Sequence, residues 1–145
     1  MTDFRWVTPD FAVASQIAPA DLAAIAGQGF RTVINNRPDG EVPNQPTGAE
    51  IAAATSAAGL TYRAVPFAGP PPPAVVAELC TLFSEADGPI LAYCRSGSRS
   101  ILAWALAQAL SGARDPETII ALTLKAGYQH VAKARDALQA LAPKR

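Results

Sequence analysis

Apolar positions along the chain fall into short blocks that alternate between strand-like and helix-like spacing. Phe11-Ala12-Val13-Ala14, Arg31-Thr32-Val33-Ile34-Asn35, Leu60 to Pro66 and Ile90-Leu91-Ala92-Tyr93 are short apolar or β-branched runs bounded by turn residues, and they predict strands. Between them the apolar positions spread over helical lengths. One helix opens at Ala18-Pro19-Ala20-Asp21 and ends at Gly27 to Gly29. A second runs from Glu50 to Ala58, with Thr47 as its N-cap and Gly59 closing it, and a third from Pro73 to Ala86. Three more follow the last strand, at Ser100 to Leu110, Pro116 to Ala126 and about Gln129 to Leu141. Arg37-Pro38-Asp39-Gly40 and Asp87-Gly88-Pro89 are turn signals.

Ile90 to Tyr93 is apolar throughout, which suits a central parallel strand buried on both faces. The alternation predicts an α/β fold in three layers, with a mostly parallel sheet of four or five strands and helices on both faces. No repeat divides the chain, and Pro70 to Pro73 is a stiff extended stretch too short for a domain linker, so residues 1–145 read as one domain. Active sites in such folds lie beyond the carboxyl ends of the strands. The segment after Tyr93 has that position.

Composition narrows the function classes. Half of the 145 residues are hydrophobic and 17% are charged, as in a folded globular protein. Twelve basic residues balance twelve acidic ones, so there is no electrostatic footprint for nucleic acid. Met1 to Trp6 lacks the pattern of a secretory signal, and the apolar stretch Ile101 to Leu110 falls short of the ~20 residues that span a bilayer. A cytoplasmic protein with no membrane partner is expected, its two cysteines, Cys80 and Cys94, free thiols. His130, the single histidine, has no second ligand at metal-binding spacing, so no metal or other cofactor is expected, and it reads as a surface or cap residue.

The candidate chemistry lies in Cys94-Arg95-Ser96-Gly97-Ser98-Arg99-Ser100, between the last strand and a strong helix pattern. A helix N-terminus presents unpaired N–H groups and a partial positive charge, which together bind anions. Gly97 lets the backbone turn its amides inward, with Arg95, Ser96 and Ser98 completing the ring. Arg99 offers a forked pair of charge-assisted hydrogen bonds to an oxyanion. A cysteine facing that dipole and two arginines is biased toward its thiolate, the nucleophilic form. Ser100 is placed to cap the helix or to donate to the sulfur. Cys80, between Leu79 and Leu82-Phe83 on a predicted helix, reads as core packing, and so does Trp104. Trp6 reads either as an N-terminal clasp or as a lining of the site mouth.

These residues carry a resemblance. Gly29 to Glu41, Tyr62 to Pro66 and Pro89 to Ser100, in that order within about Phe4 to Leu110, resemble the bacterial family of beta-lactamase-hydrolase-like phosphatase-like domains. The resemblance implies a fold like that of dual-specificity phosphatases, with Cys94 as nucleophile and Arg99 as anion ligand. Protein tyrosine phosphatases carry five residues between these two, whereas here there are four, Arg95 to Ser98. The shorter spacing and the wording Cys-Arg-Ser-Gly look like the active loop of rhodanese-type sulfurtransferases. Phosphatases also use an acid to protonate the leaving oxygen, and Phe67 to Pro73, where it often lies, contains none. The nearest substitutes are Asp39 and Glu41, after the second strand; Asp39 is the candidate general acid or orienter of Arg99, and Arg37 a lining of the entrance. The family domain also occurs beside proteins of sulfide and persulfide oxidation. Sulfur transfer through a persulfide on Cys94, with a thiol or persulfide substrate, is therefore the leading expectation. Hydrolysis of a phosphorylated substrate is the alternative, and a non-catalytic module binding a small anion the third.

Overall fold

The computed structural model describes residues 3–144. Its sheet begins earlier than the hydrophobic pattern suggests. β1 (Phe4–Thr8) and β2 (Phe11–Ala14) form an antiparallel hairpin, Phe4 facing Ala14 and Thr8 facing Phe11. β1 was not evident as a strand because its residues are buried only toward one end; pairing with β2 and ring packing hold it. Trp6 stacks on Phe30 with centroids 4.7 Å apart, and Phe4 meets the same ring edge-on at 5.3 Å. Trp6 is thus a clasp on the sheet edge.

The chain then alternates as expected. A 3-10 turn (Pro19–Asp21) leads into α1 (Leu22–Gly27), followed by β3 (Thr32–Asn35), α2 (Gly48–Ala57), β4 (Thr61–Ala64), α3 (Pro73–Glu85) and β5 (Ile90–Tyr93). The order in the sheet is β1-β2-β5-β3-β4, and every pairing except β1 with β2 is parallel. β5 lies in the middle, Leu91 facing Ala12 on one side and Val33 on the other. Every residue of β2, β3 and β5 is buried, so period-two alternation is absent from them.

Two apolar layers hold the sheet. Leu22 and Ile25 of α1 and Ile51 of α2 pack with Val33, Leu91 and Tyr93 on one face. On the other, Ile34 and Ala92 meet Leu79 of α3 and Ile101 and Trp104 of α4 (Ser98–Ser111). Ile119 of α5 (Pro116–Lys125) and Leu138 of α6 (Arg135–Leu141) complete that layer. α4 is apolar nearly all round because other helices and the sheet enclose it. Trp104 stacks on Phe11 at 5.1 Å, and its truncation to alanine would cost about 3–5 kcal/mol.

Two helical expectations need correction. α4 starts at Ser98 rather than Ser100, because Gly97 already turns the chain into it. The last predicted helix divides into a 3-10 turn (His130–Ala134) and α6, since Ala134 leaves helical geometry at φ −97°, ψ 18°. Among the described residues, no helix is long and apolar enough to cross a membrane.

Candidate active site

Three parallel strands end together at the loop that opens α4. Main-chain bonds join them: Cys94 N–H donates to Ala14 O (3.4 Å), Asn36 N–H to Tyr93 O (2.9 Å) and Gln16 N–H to Arg95 O (3.2 Å). Gly97 is left-handed, φ +89°, and is the N-cap of α4. Its N–H donates to Cys94 Sγ at 3.1 Å, so the sulfur sits as an acceptor at the positive end of a fourteen-residue helix. Cys94 is fully buried, while Arg95 and Ser96 are exposed at the rim. Ser96 Oγ donates to Ser98 Oγ at 3.1 Å.

Arg99 is held by Glu41, which the sequence offers only as a stand-in acid. Its Nη1 donates to Glu41 Oε2 (2.9 Å) and its Nη2 to Glu41 Oε1 (2.8 Å), while Nη1 also donates to Phe67 O (3.0 Å). The Cys94 sulfur lies close enough to the guanidinium to add to what holds it charged. Arg37, nearly fully buried, donates from Nε to Glu41 Oε1 (2.8 Å) and from Nη1 to Gln16 Oε1 (3.0 Å). Arg37 is thus one layer behind Arg99 instead of at the entrance. Hydrogen bonding from Arg99, aided by Arg37 and opposed by desolvation, pulls the Glu41 carboxyl down to about 2. The Glu41 bond in turn raises Arg99 above its ordinary value. Glu41 is therefore an anion at neutral pH and has no proton to give a leaving group.

Two further expectations are corrected. Asp39 does not orient Arg99: its Oδ1 accepts the Gly48 N–H at 2.8 Å, at the start of α2. Ser100 neither caps α4 nor donates to the sulfur. It is buried in the first turn, and its Oγ donates to Asn36 Oδ1 at 2.8 Å. Asn36 Nδ2 donates onward to Val65 O at 3.0 Å, tying α4 to the segments after β3 and β4.

Residues far along the chain also reach the loop. Tyr128 donates its hydroxyl to Ser96 O at 3.1 Å, and His130 Nε2 lies 2.9 Å from Ser98 O. His130 is thus half-buried against the candidate site rather than on the open surface. Nothing in the spacing announced either residue, because the contact spans thirty-two positions. Cys80 is half-buried between α3 and α4, where its Sγ donates to Ala107 O at 3.1 Å and burial pushes its thiol up. A cleft of about 730 Å³ is lined by Trp6, Arg114, Leu122 and Lys125 among others, and no residue of the loop borders it. Among the described residues, no group of three or more His, Cys, Asp or Glu could hold a metal ion.

Residues 3–111 match the family described as beta-lactamase hydrolase-like protein, phosphatase-like domain. A beta-lactamase hydrolase-like protein of Agrobacterium fabrum is 38% identical over 101 residues, covering 69% of this chain and 23% of the relative. One from Xylella fastidiosa strain Temecula1 is 32% identical over 120 residues, covering 82% and 27%. The chain thus spans about a quarter of the length of these curated relatives. Among solved structures, a putative phosphatase from Neisseria meningitidis Z2491 superposes with a TM-score of 0.81 at 30% identity, covering 94% of this chain and 96% of that one. The core catalytic domain of the PP-IP phosphatase SIW14 from S. cerevisiae has a TM-score of 0.67 at 16% identity, covering 94% and 83%, a likeness of fold alone.

Proposed function

The chain belongs to the phosphatase-like domain family of beta-lactamase hydrolase-like proteins, and from that premise we propose that it is a cysteine-dependent phosphatase acting through Cys94. This reverses the order in which the sequence ranked sulfur transfer and phosphate hydrolysis. The observation that carries the reading is the Cys94 sulfur accepting the Gly97 N–H at the head of α4, with the Arg99 guanidinium fixed beside it by Glu41.

In the proposed reaction the thiolate attacks phosphorus, an S–P bond forms and the P–O bond to the leaving group breaks. The backbone amides of the loop and the Arg99 N–H groups that Glu41 and Phe67 leave free hold the phosphoryl oxygens, whose charge the helix end also favours. Water then attacks the phosphocysteine, releasing inorganic phosphate and restoring the thiolate. The weak step is the departure of the leaving group. Phe67 to Pro73 contains no acid, Glu41 is ionised, and Asp39 is committed to Gly48. The substrates that suit such a site are phosphorylated compounds whose leaving group departs without a proton, such as aryl phosphates and phosphoanhydrides.

The test is turnover of p-nitrophenyl phosphate by wild type and Cys94→Ser. Hydrolysis by wild type that disappears in Cys94→Ser is expected; equal rates would refute the assignment.

Persulfide transfer remains as a second reading on one observation, the four residues between Cys94 and Arg99. In it, the thiolate takes the sulfane sulfur of thiosulfate, sulfite leaves, and an acceptor thiolate removes the sulfur.

A further inference from the structure

We propose that Tyr128 and His130 are positioning residues that aim two amides of the Cys94–Arg99 loop, one at the thiolate and one at the bound anion. This rests on the reading of that loop as an anion site served by Cys94. A trans peptide is planar, and its C=O and N–H point in opposite directions. Whatever holds the carbonyl on the outside of a loop therefore turns the N–H of the same peptide inward.

Tyr128 holds the carbonyl of Ser96, which shares a peptide with the N–H of Gly97. That N–H is the one donated to Cys94 Sγ at 3.1 Å. The phenol and the thiolate thus grip opposite ends of one peptide plane. His130 does the same one peptide further on, holding the carbonyl of Ser98, whose partner N–H belongs to Arg99. A carbonyl only accepts, so Nε2 of His130 carries the hydrogen in this contact.

The clamp is itself anchored. Tyr128 N–H donates to Thr123 O at 3.0 Å, and Gly127 turns the chain at φ +97°. The Arg5 guanidinium lies over the Tyr128 ring at 5.6 Å and donates from Nη1 to Ala126 O at 3.2 Å. Val131, fully buried, roots the 3-10 turn in the core. Gly97 is fitted to the clamp as well, because a Cβ there would strike the Tyr128 hydroxyl. Residues 128 and 130 lie outside the stretch matched to the family, 3–111.

The experiment pairs alkylation of Cys94 by iodoacetamide in wild type and Tyr128→Phe with calorimetric titration of inorganic phosphate into wild type, His130→Ala and His130→Gln, each protein with a thermal melt. Tyr128→Phe keeps the ring and loses only the hydroxyl. It should slow the alkylation of Cys94 by iodoacetamide at pH 6 about fivefold, the effect of one lost hydrogen bond to the thiolate, with the melt nearly unchanged. His130→Ala should weaken phosphate binding by a similar factor. His130→Gln, whose side-chain amide places a donor where Nε2 stands, should recover most of it, which a merely structural histidine would not require. Wild-type alkylation in Tyr128→Phe together with wild-type phosphate affinity in His130→Ala would overturn the clamp while leaving the anion site standing. A wild type that binds no phosphate would overturn the anion-site reading and the clamp with it.

Discussion

Glu41 and Arg99 meet fork to fork, Oε2 on Nη1 at 2.9 Å and Oε1 on Nη2 at 2.8 Å, across fifty-eight positions of sequence. The pair fixes the plane of the guanidinium while its remaining hydrogens stay available to sulfur and anion. Arg37 closes the arrangement from behind, so one carboxylate bridges two cations in a half-buried place and leaves the cluster with a net positive charge. Glu41→Gln keeps the shape and removes the charge. Misplacement of Arg99 should then lower the turnover of p-nitrophenyl phosphate by about a hundredfold, measured as kcat/KM.

The same pair sets a pH dependence of stability. The folded carboxyl titrates at about 2, below the ordinary 4.5, so the pair's contribution is fully present above about 4.5 and is lost as pH falls toward 2. Solvent screening at this partly exposed site reduces the contribution to about 1 kcal/mol. Melting curves of wild type and Glu41→Gln should differ at neutral pH and converge over that acid window.

Arg99→Lys tests the fork apart from the charge. Lysine cannot make two parallel bonds to Glu41 and still reach the anion, so phosphate affinity and kcat/KM should both fall, the latter by about 10²-fold. Retained affinity on titration would place Arg99 outside the anion site.

Asn36 links Ser100 on α4 to Val65 beyond β4, wholly within the protein. Asn36→Ala would leave the Ser100 hydroxyl and the Val65 carbonyl without this partner. Urea denaturation should show a loss of about 1–3 kcal/mol.

Much of this was legible in the chain, for physical reasons. Ile90 to Tyr93 announced a central strand because burial on both faces requires an unbroken apolar run. Gly97 between a strand and a helix announced the turn that opens α4. Cys94 and Arg99 stood out because sulfur, glycine and guanidinium so close together have a chemical rationale and little packing rationale. The partners of those residues were hidden. Glu41 and Asp39 both follow β3, and only the folded loop decides that Glu41 reaches Arg99 while Asp39 turns to Gly48. Ser100 looked like a cap by its place beside Arg99, yet the helix begins two residues earlier and buries it. Tyr128 and His130 approach from beyond α5, a contact that no local pattern encodes. The shorter Cys-to-Arg spacing pointed toward sulfur chemistry, and the family and fold outweigh it.

The most direct test of the central claim is peptide mass spectrometry after an acid quench of the enzyme turning over an aryl phosphate. The account predicts the mass of one phosphoryl group on the peptide carrying Cys94, absent from Cys94→Ser. A Cys94 that stays unmodified under aryl phosphate, yet gains one sulfur from thiosulfate, would contradict it and restore persulfide transfer as the function of this loop.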